Sequence, residues 1–96
     1  MKIVKEAIAG TLESSDVQVK VAPSEGTLEV VVKSEVEHQF GAQIRAVVND
    51  TLGRLAVSEG IVLVEDKGAL DCTLRARVQT AVLRGGAVKD LDWSVL

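Results

Sequence analysis

Few side chains in this sequence are of a type that does chemistry, and most stand alone. His38 is the single histidine, and a general base or a zinc site would want a second partner that the chain lacks. On a helix it would lie about 200° round from Phe40, at roughly 100° per residue, which makes it a surface histidine. Cys72 is the single cysteine; it carries no Cys–His signature and lies about 200° from Leu70 on its own helix, so it reads as a flanking structural thiol. The carboxylate pairs Glu35/Glu37 and Asp90/Asp92 belong to a helix start and to a polar tail, where acids are ordinary. No G-x-x-x-x-G-K, G-x-G-x-x-G, H-E-x-x-H or C-x-x-C pattern occurs. The expectation is a chain with no catalytic residues and no metal site.

Two features remain. Ala42, Ala46, Asn49 and Gly53 recur with His38 on the side of a helix opposite its apolar stripe, where small residues would admit a partner or simply face water. The other is Ser14 in Glu13-Ser14-Ser15-Asp16. Hydroxyls in a polar cluster are ordinarily turn residues, and flanking acids disfavour an alkoxide, so this serine does not activate itself. It suits an attachment point, where access matters and another enzyme supplies the chemistry.

The elements that must position these residues follow from periodicity. Residues 7–12 are small and apolar and end at that polar cluster. Val17, Val19 and Val21 alternate with polar neighbours as a half-buried strand does, and so do Leu28, Val30 and Val32. Pro23-Ser24-Glu25-Gly26 between them predicts a β-hairpin; residues 7–12 as a strand would complete an antiparallel meander, although Lys5-Glu6-Ala7 could equally start a short helix. At Ser34 the period changes. Ser34 and Glu37 have capping-box spacing, and Val36, Phe40, Ile44, Val47, Val48, Thr51, Leu52 and Leu55 recur at helical intervals to about residue 57. Gly41 and Gly53 each cost such a helix about 1 kcal/mol relative to Ala, which asks for a packing reason. Ile61–Val64 is a continuous apolar run suited to a strand buried on both faces. A second helix over 69–84 places Leu70, Leu74, Val78, Ala81 and Val82 on one face, with Asp71 and Arg75 one turn apart in the acid-first order, and Gly85-Gly86 stops it. The fold class is α+β: an antiparallel sheet of about four strands in the order β-β-β-α-β-α, with two helices packed on one face. Residues 1–96 form one domain, with 87–96, where Leu91, Trp93 and Val95 alternate, as a flexible tail.

Composition narrows the function classes. Hydrophobic residues make up 47% and charged residues 26% of the 96, ordinary for a folded domain. With Lys+Arg 11 against Asp+Glu 14 the net charge is −3, which repels a phosphate backbone, and Phe40 and Trp93 alone offer no base-stacking platform. Nucleic acid is not an expected partner. No apolar run approaches the ~18 residues of a membrane span, Glu6 interrupts any signal-peptide core, and one cysteine forms no internal disulfide. A cytoplasmic protein is expected.

Three blocks resemble one family. Gly10-Thr11-Leu12-Glu13-Ser14-Ser15-Asp16 is similar to the prosthetic-group site of the citrate lyase acyl carrier protein, the gamma subunit of that complex. Val36-Glu37-His38-Gln39-Phe40-Gly41 resembles its V-E-x-Q-F-G, and the run from Asp66 to Arg77 resembles its D-K-G-A-L-D-C-x-L-R-A-R. The blocks fall in the family's order, and the resemblance thins after Gly85. It implies that Ser14 carries a 2'-(5''-phosphoribosyl)-3'-dephospho-CoA arm through a phosphodiester, and that the arm's thiol holds acetyl, exchanged for citryl. It implies as partners the alpha and beta subunits of citrate lyase and a prosthetic-group transferase. Chemistry alone leaves Ser14 and Ser15 equivalent; the resemblance selects Ser14. The malonate decarboxylase acyl carrier subunit resembles the same family and is the nearest alternative. A scaffold module docking through the small-residue helix face is the alternative from another class.

Overall fold

The computed structural model describes residues 1–35 and 37–87, and of residues 37–39 the backbone alone. The chain runs β1 (Ala7–Gly10), β2 (Val17–Ala22), β3 (Leu28–Ser34), α1 (Glu37–Arg54), β4 (Gly60–Asp66) and α2 (Asp71–Gly85). The strands form one sheet in the order β1-β2-β4-β3. β1 pairs antiparallel with β2 and β2 with β4, while β3 and β4 are parallel.

The α+β class, the element order and the four strands are therefore as expected, but the sheet is mixed. The hairpin expected between β2 and β3 does not form, because β4 lies between them. A helix of 18 residues separates β3 from β4, long enough for the crossover that brings a following strand back parallel to its predecessor. The apolar run Ile61–Val64 competes best for an interior position, and β3, half-buried along its length, takes the edge. Pro23 to Thr27 thus spans two strand spacings, about 9–10 Å, rather than closing a tight turn.

Register explains the core. Ala9, Val19, Val64 and Val32 form one row across the sheet, and Ala7, Val21, Val62 and Val30 the next. Val19, Val62 and Val64 have no exposed surface, nor do Val48 of α1 and Val78 and Val82 of α2, with which they share the core. α2 lies over β1 and β2, and α1 beside it towards β3. The intervening row, Ile8, Lys20, Leu63 and Val31, points the other way. Ile8, Val31 and Ile61 on this open face are 47%, 44% and 37% exposed, so β4 is fully covered on one face only, a correction to the expectation for Ile61–Val64.

The α1 stripe from Ile44 to Leu55 is buried, but Phe40 at its start is 48% exposed, and Leu70, expected on the inner face of α2, is 72% exposed because it precedes the helix as its N-cap. A Cβ on Gly53 would meet nothing within 4 Å, so no packing reason keeps a glycine there. Asp71 and Arg75 both reach across to α1, Asp71 accepting from Gln43 Nε2 at 2.8 Å and Arg75 donating to Asp50 Oδ2 at 2.8 Å. The side chain of Glu37, the capping partner expected for Ser34, lies outside the described residues, as does the tail from residue 88 onward. No helix among the described residues is long and apolar enough to cross a membrane.

Candidate functional site: the serine turn

The site is assembled at one end of the sheet, where β1 turns into β2 and β4 turns into α2. Val17 at the start of β2 and Ser34 at the end of β3 both pair with Asp66, the last residue of β4. Asp66 is 2% exposed, and its carboxylate accepts from the Ser34 hydroxyl at 2.8 Å and from the amides of Gly68 and Ala69 at 3.1 and 3.0 Å. A buried carboxylate needs such donors; the two amides wrap the β4–α2 loop around it, and the hydroxyl ties it to β3. Lys67 is held at the lip of that loop, with its ammonium 3.0 Å from Glu35 Oε1.

Lys67 seats the serine turn with its backbone. Its carbonyl accepts from the Ser15 amide at 2.8 Å, and its amide donates to the Asp16 carbonyl at 2.9 Å. The Asp16 amide donates back to the Glu13 carbonyl at 3.1 Å, closing a four-residue turn with Ser14 and Ser15 at its centre. Ser15 has φ +66° and Ser14 does not share that sign, the pattern of a type II turn. A left-handed residue other than glycine costs roughly 1–2 kcal/mol, so bonds around the turn must hold it.

Asp16 holds it most directly. Its side chain is 16% exposed. Oδ2 accepts from Thr11 Oγ1 at 2.6 Å, Oδ1 from the Val17 amide at 2.8 Å, and Arg77 of α2 donates Nε to Oδ1 and Nη2 to Oδ2, both at 3.3 Å. The Thr11 hydroxyl in turn accepts from the Glu13 amide at 3.2 Å. Donors on every side favour the ionised form: the Thr11 hydroxyl above all, then the Val17 amide, with Arg77 adding, hold the Asp16 carboxyl at about 2 against an ordinary 3.8. Gly10 makes room for this arrangement. It has φ +83°, and a Cβ there would sit 1.9 Å from the Val17 carbonyl oxygen and 3.1 Å from Arg77 Cδ.

Ser14 stands exposed at this apex, and no bond among the described residues engages its hydroxyl. The two separate blocks singled out in the sequence, Gly10–Asp16 and Asp66–Arg77, are thereby brought into contact. Cys72 is exposed on α2, Ala42, Ala46, Asn49 and Gly53 are exposed on α1, and the His38 side chain and Asp90/Asp92 lie outside the described residues. Among the described residues no group of His, Cys, Asp or Glu could hold a metal ion. Sequence reasoning misses the roles of Thr11, Asp16 and Arg77: Asp16 and Arg77 are 61 positions apart, and only their presence in the two blocks hints at them.

A family model described as the malonate decarboxylase delta subunit (MdcD), of the acyl carrier type, matches residues 4–85. A citrate lyase acyl carrier protein of Enterobacter sp. (strain 638) is 63% identical over 98% of this chain and 97% of its own, and one from Pectobacterium atrosepticum is 62% identical over the whole of both. The chain belongs to the citrate lyase acyl carrier protein family. A Vibrio cholerae relative with the same name is 54% identical over 100% of this chain and 99% of its own. The fold is also that of a chain in the crystal structure of a Pseudomonas malonate decarboxylase hetero-tetramer in complex with malonate, at TM-score 0.72 and 17% identity over 83% of this chain and 82% of that one. As a member of the citrate lyase acyl carrier protein family, the chain is a non-catalytic carrier, a class that works through a covalently attached prosthetic group. The turn suits such a group: it offers an exposed hydroxyl on a braced apex.

Proposed function

We propose that this chain is the acyl carrier subunit of a citrate lyase complex, and that Ser14 is where its prosthetic group is attached. The observation that carries the reading is the exposed Ser14 at the apex of a turn braced from outside by Lys67 and Arg77, in a chain more than half identical to relatives bearing that name. The Ser14 oxygen bears a 2'-(5''-phosphoribosyl)-3'-dephospho-CoA arm through a phosphodiester. When bound, that group supplies the thiol on which acetyl and citryl are carried as thioesters. The chain's own part is to hold one oxygen at a fixed place and to dock. Tethering makes each encounter of acyl group and catalytic subunit intramolecular, at raised effective concentration, and a rigid turn fixes where the tether begins. The partners are the alpha and beta subunits of the lyase and the transferase that installs the arm, acting in the cytoplasm.

The malonate decarboxylase carrier is the second reading, favoured by the family model and by the shared fold. Identity of 54–63% to the citrate lyase relatives against 17% to the malonate decarboxylase chain sets it second. The test is to load the purified carrier with the arm and acetyl and add it to citrate lyase alpha and beta subunits, and separately to carrier-free malonate decarboxylase. Citrate cleavage to oxaloacetate in the first mixture alone supports the proposal. Turnover in the second alone reverses the ranking, and turnover in neither contradicts service in either complex.

A further inference from the structure

We propose that Arg77 is a positioning residue for arm attachment: by gripping Asp16 with two parallel hydrogen bonds it fixes the Glu13–Asp16 turn so that Ser14, and not Ser15, is presented to the arm-transferring enzyme. The inference rests on the reading of Ser14 as the attachment residue. In that transfer the Ser14 Oγ–H bond breaks, Oγ bonds to the α-phosphorus of a triphosphate ester of the arm, pyrophosphate leaves, and the proton passes to the enzyme or solvent. In-line displacement requires one oxygen in one place.

The turn does not hold that place unaided. Ser15 occupies the left-handed region at φ +66°, unfavourable for a residue with a Cβ, and one bond, from the Asp16 amide to the Glu13 carbonyl at 3.1 Å, closes the turn. Beside the local bonds from Thr11 and Val17, two restraints come from distant segments of the chain. One is the Lys67 backbone, which fixes Ser15 and Asp16 as main chain. The other is Arg77, which reaches from α2 to both carboxylate oxygens of Asp16, and Asp16 carries that restraint to Thr11 on the near side of the turn. A planar guanidinium fork sets direction as well as distance, which an ammonium does not. The stem of Arg77 passes 3.1 Å from where a Gly10 Cβ would be, so glycine at that position and arginine on the helix belong to one arrangement. Arg75, two residues earlier, points about 200° away and binds Asp50 of α1 instead. The two arginines of the Leu74-Arg75-Ala76-Arg77 run thus have separate tasks.

The experiment measures initial rates of arm transfer to the full-length apo-carrier by intact mass, with purified transferase and the triphosphate-activated arm precursor, and locates the arm by peptide mapping. The wild type, Arg77→Ala, Arg77→Lys and Arg75→Ala are compared, each checked for fold by circular dichroism and thermal unfolding. Arg77→Ala is expected to lower kcat at least tenfold with KM for the carrier within about twofold, and to place a measurable fraction of the arm on Ser15. Arg77→Lys should restore part of the rate, and Arg75→Ala should match the wild type. A folded Arg77→Ala protein modified at the wild-type kcat and only at Ser14 overturns the proposal, as does an equal loss in Arg75→Ala. If Arg77→Ala does not fold, Arg77→Lys decides alone, since a wild-type kcat without a fork contradicts the role. An arm absent from Ser14 in the wild type would instead defeat the attachment reading itself.

Discussion

Arg77 and Asp16, 61 positions apart, meet in a two-pronged ion pair with both bonds at 3.3 Å, and the carboxylate so held also takes the Thr11 hydroxyl and the Val17 amide. One side chain thereby joins the residues before the serine turn, the first residue of β2 and the helix packed over that strand. The turn's shape is consequently a property of the tertiary fold, although its sequence is local.

The first consequence is a pH dependence. The folded-state pKa of Asp16 is depressed to about 2 from 3.8, so the group contributes stability that is fully present above its unfolded value. That contribution is lost as pH falls from about 4 towards 2. Thermal unfolding followed from pH 7 to pH 2 should show an acid limb that is shallower in Asp16→Asn. Superimposable profiles for the two proteins would show that the carboxylate is not held as described.

Gly10→Ala should be among the most damaging small changes available. The new Cβ would lie 1.9 Å from a backbone oxygen, at φ +83°, and backbone cannot step aside as a flexible side chain does. A loss of roughly 2–4 kcal/mol in urea unfolding is expected. Gly53→Ala, in open space on an exposed helix face, should instead gain up to about 1 kcal/mol from helix propensity.

Arg75→Ala tests the link between the helices. Arg75 binds Asp50 at 2.8 Å and its hydrogen bond is the main cause of the lowered Asp50 pKa, but the Asp50 side chain is 47% exposed. Such a half-exposed pair, screened by solvent, contributes little to stability. The measurement is urea unfolding at low and at high salt, where the difference between variant and wild type should shrink as salt rises.

Periodicity carries the element order because alternation and 3.6-residue spacing report burial one element at a time. It does not place β4 between β2 and β3. The polar break at Pro23–Gly26 looks the same whether the chain folds back or steps over a strand yet to be made. Helical spacing puts Phe40 and Leu70 on apolar stripes, but both stand at or just before a helix start, where the stripe has run out of sheet to cover. Asp71 and Arg75 have the spacing of an intrahelical pair, and a neighbouring helix offers each a better partner. Ser14 is legible through its resemblance to a family block. Its braces are not, since Asp66, Lys67 and Arg77 reach it only through contacts between distant segments.

Cys72→Ser should leave acyl loading unchanged. The thiol is exposed on α2, and under the function proposed above the working thiol belongs to the arm. Loading of the arm-bearing variant with acetyl is the check. A normal fold with lost loading would assign Cys72 a chemical role.

The most direct measurement is peptide mapping of the arm-bearing protein by mass spectrometry, with Ser14→Ala and Ser15→Ala alongside. Both serines are exposed, so each substitution should cost no more than about 0.5 kcal/mol and loss of modification will not reflect unfolding. The arm is expected at the first serine of the pair, on the peptide containing Ser14, with no modification of Ser14→Ala and continued modification of Ser15→Ala at an equal or lower rate. An arm mapped to Ser15 in the wild type, or a Ser14→Ala protein that still acquires it, contradicts attachment at Ser14.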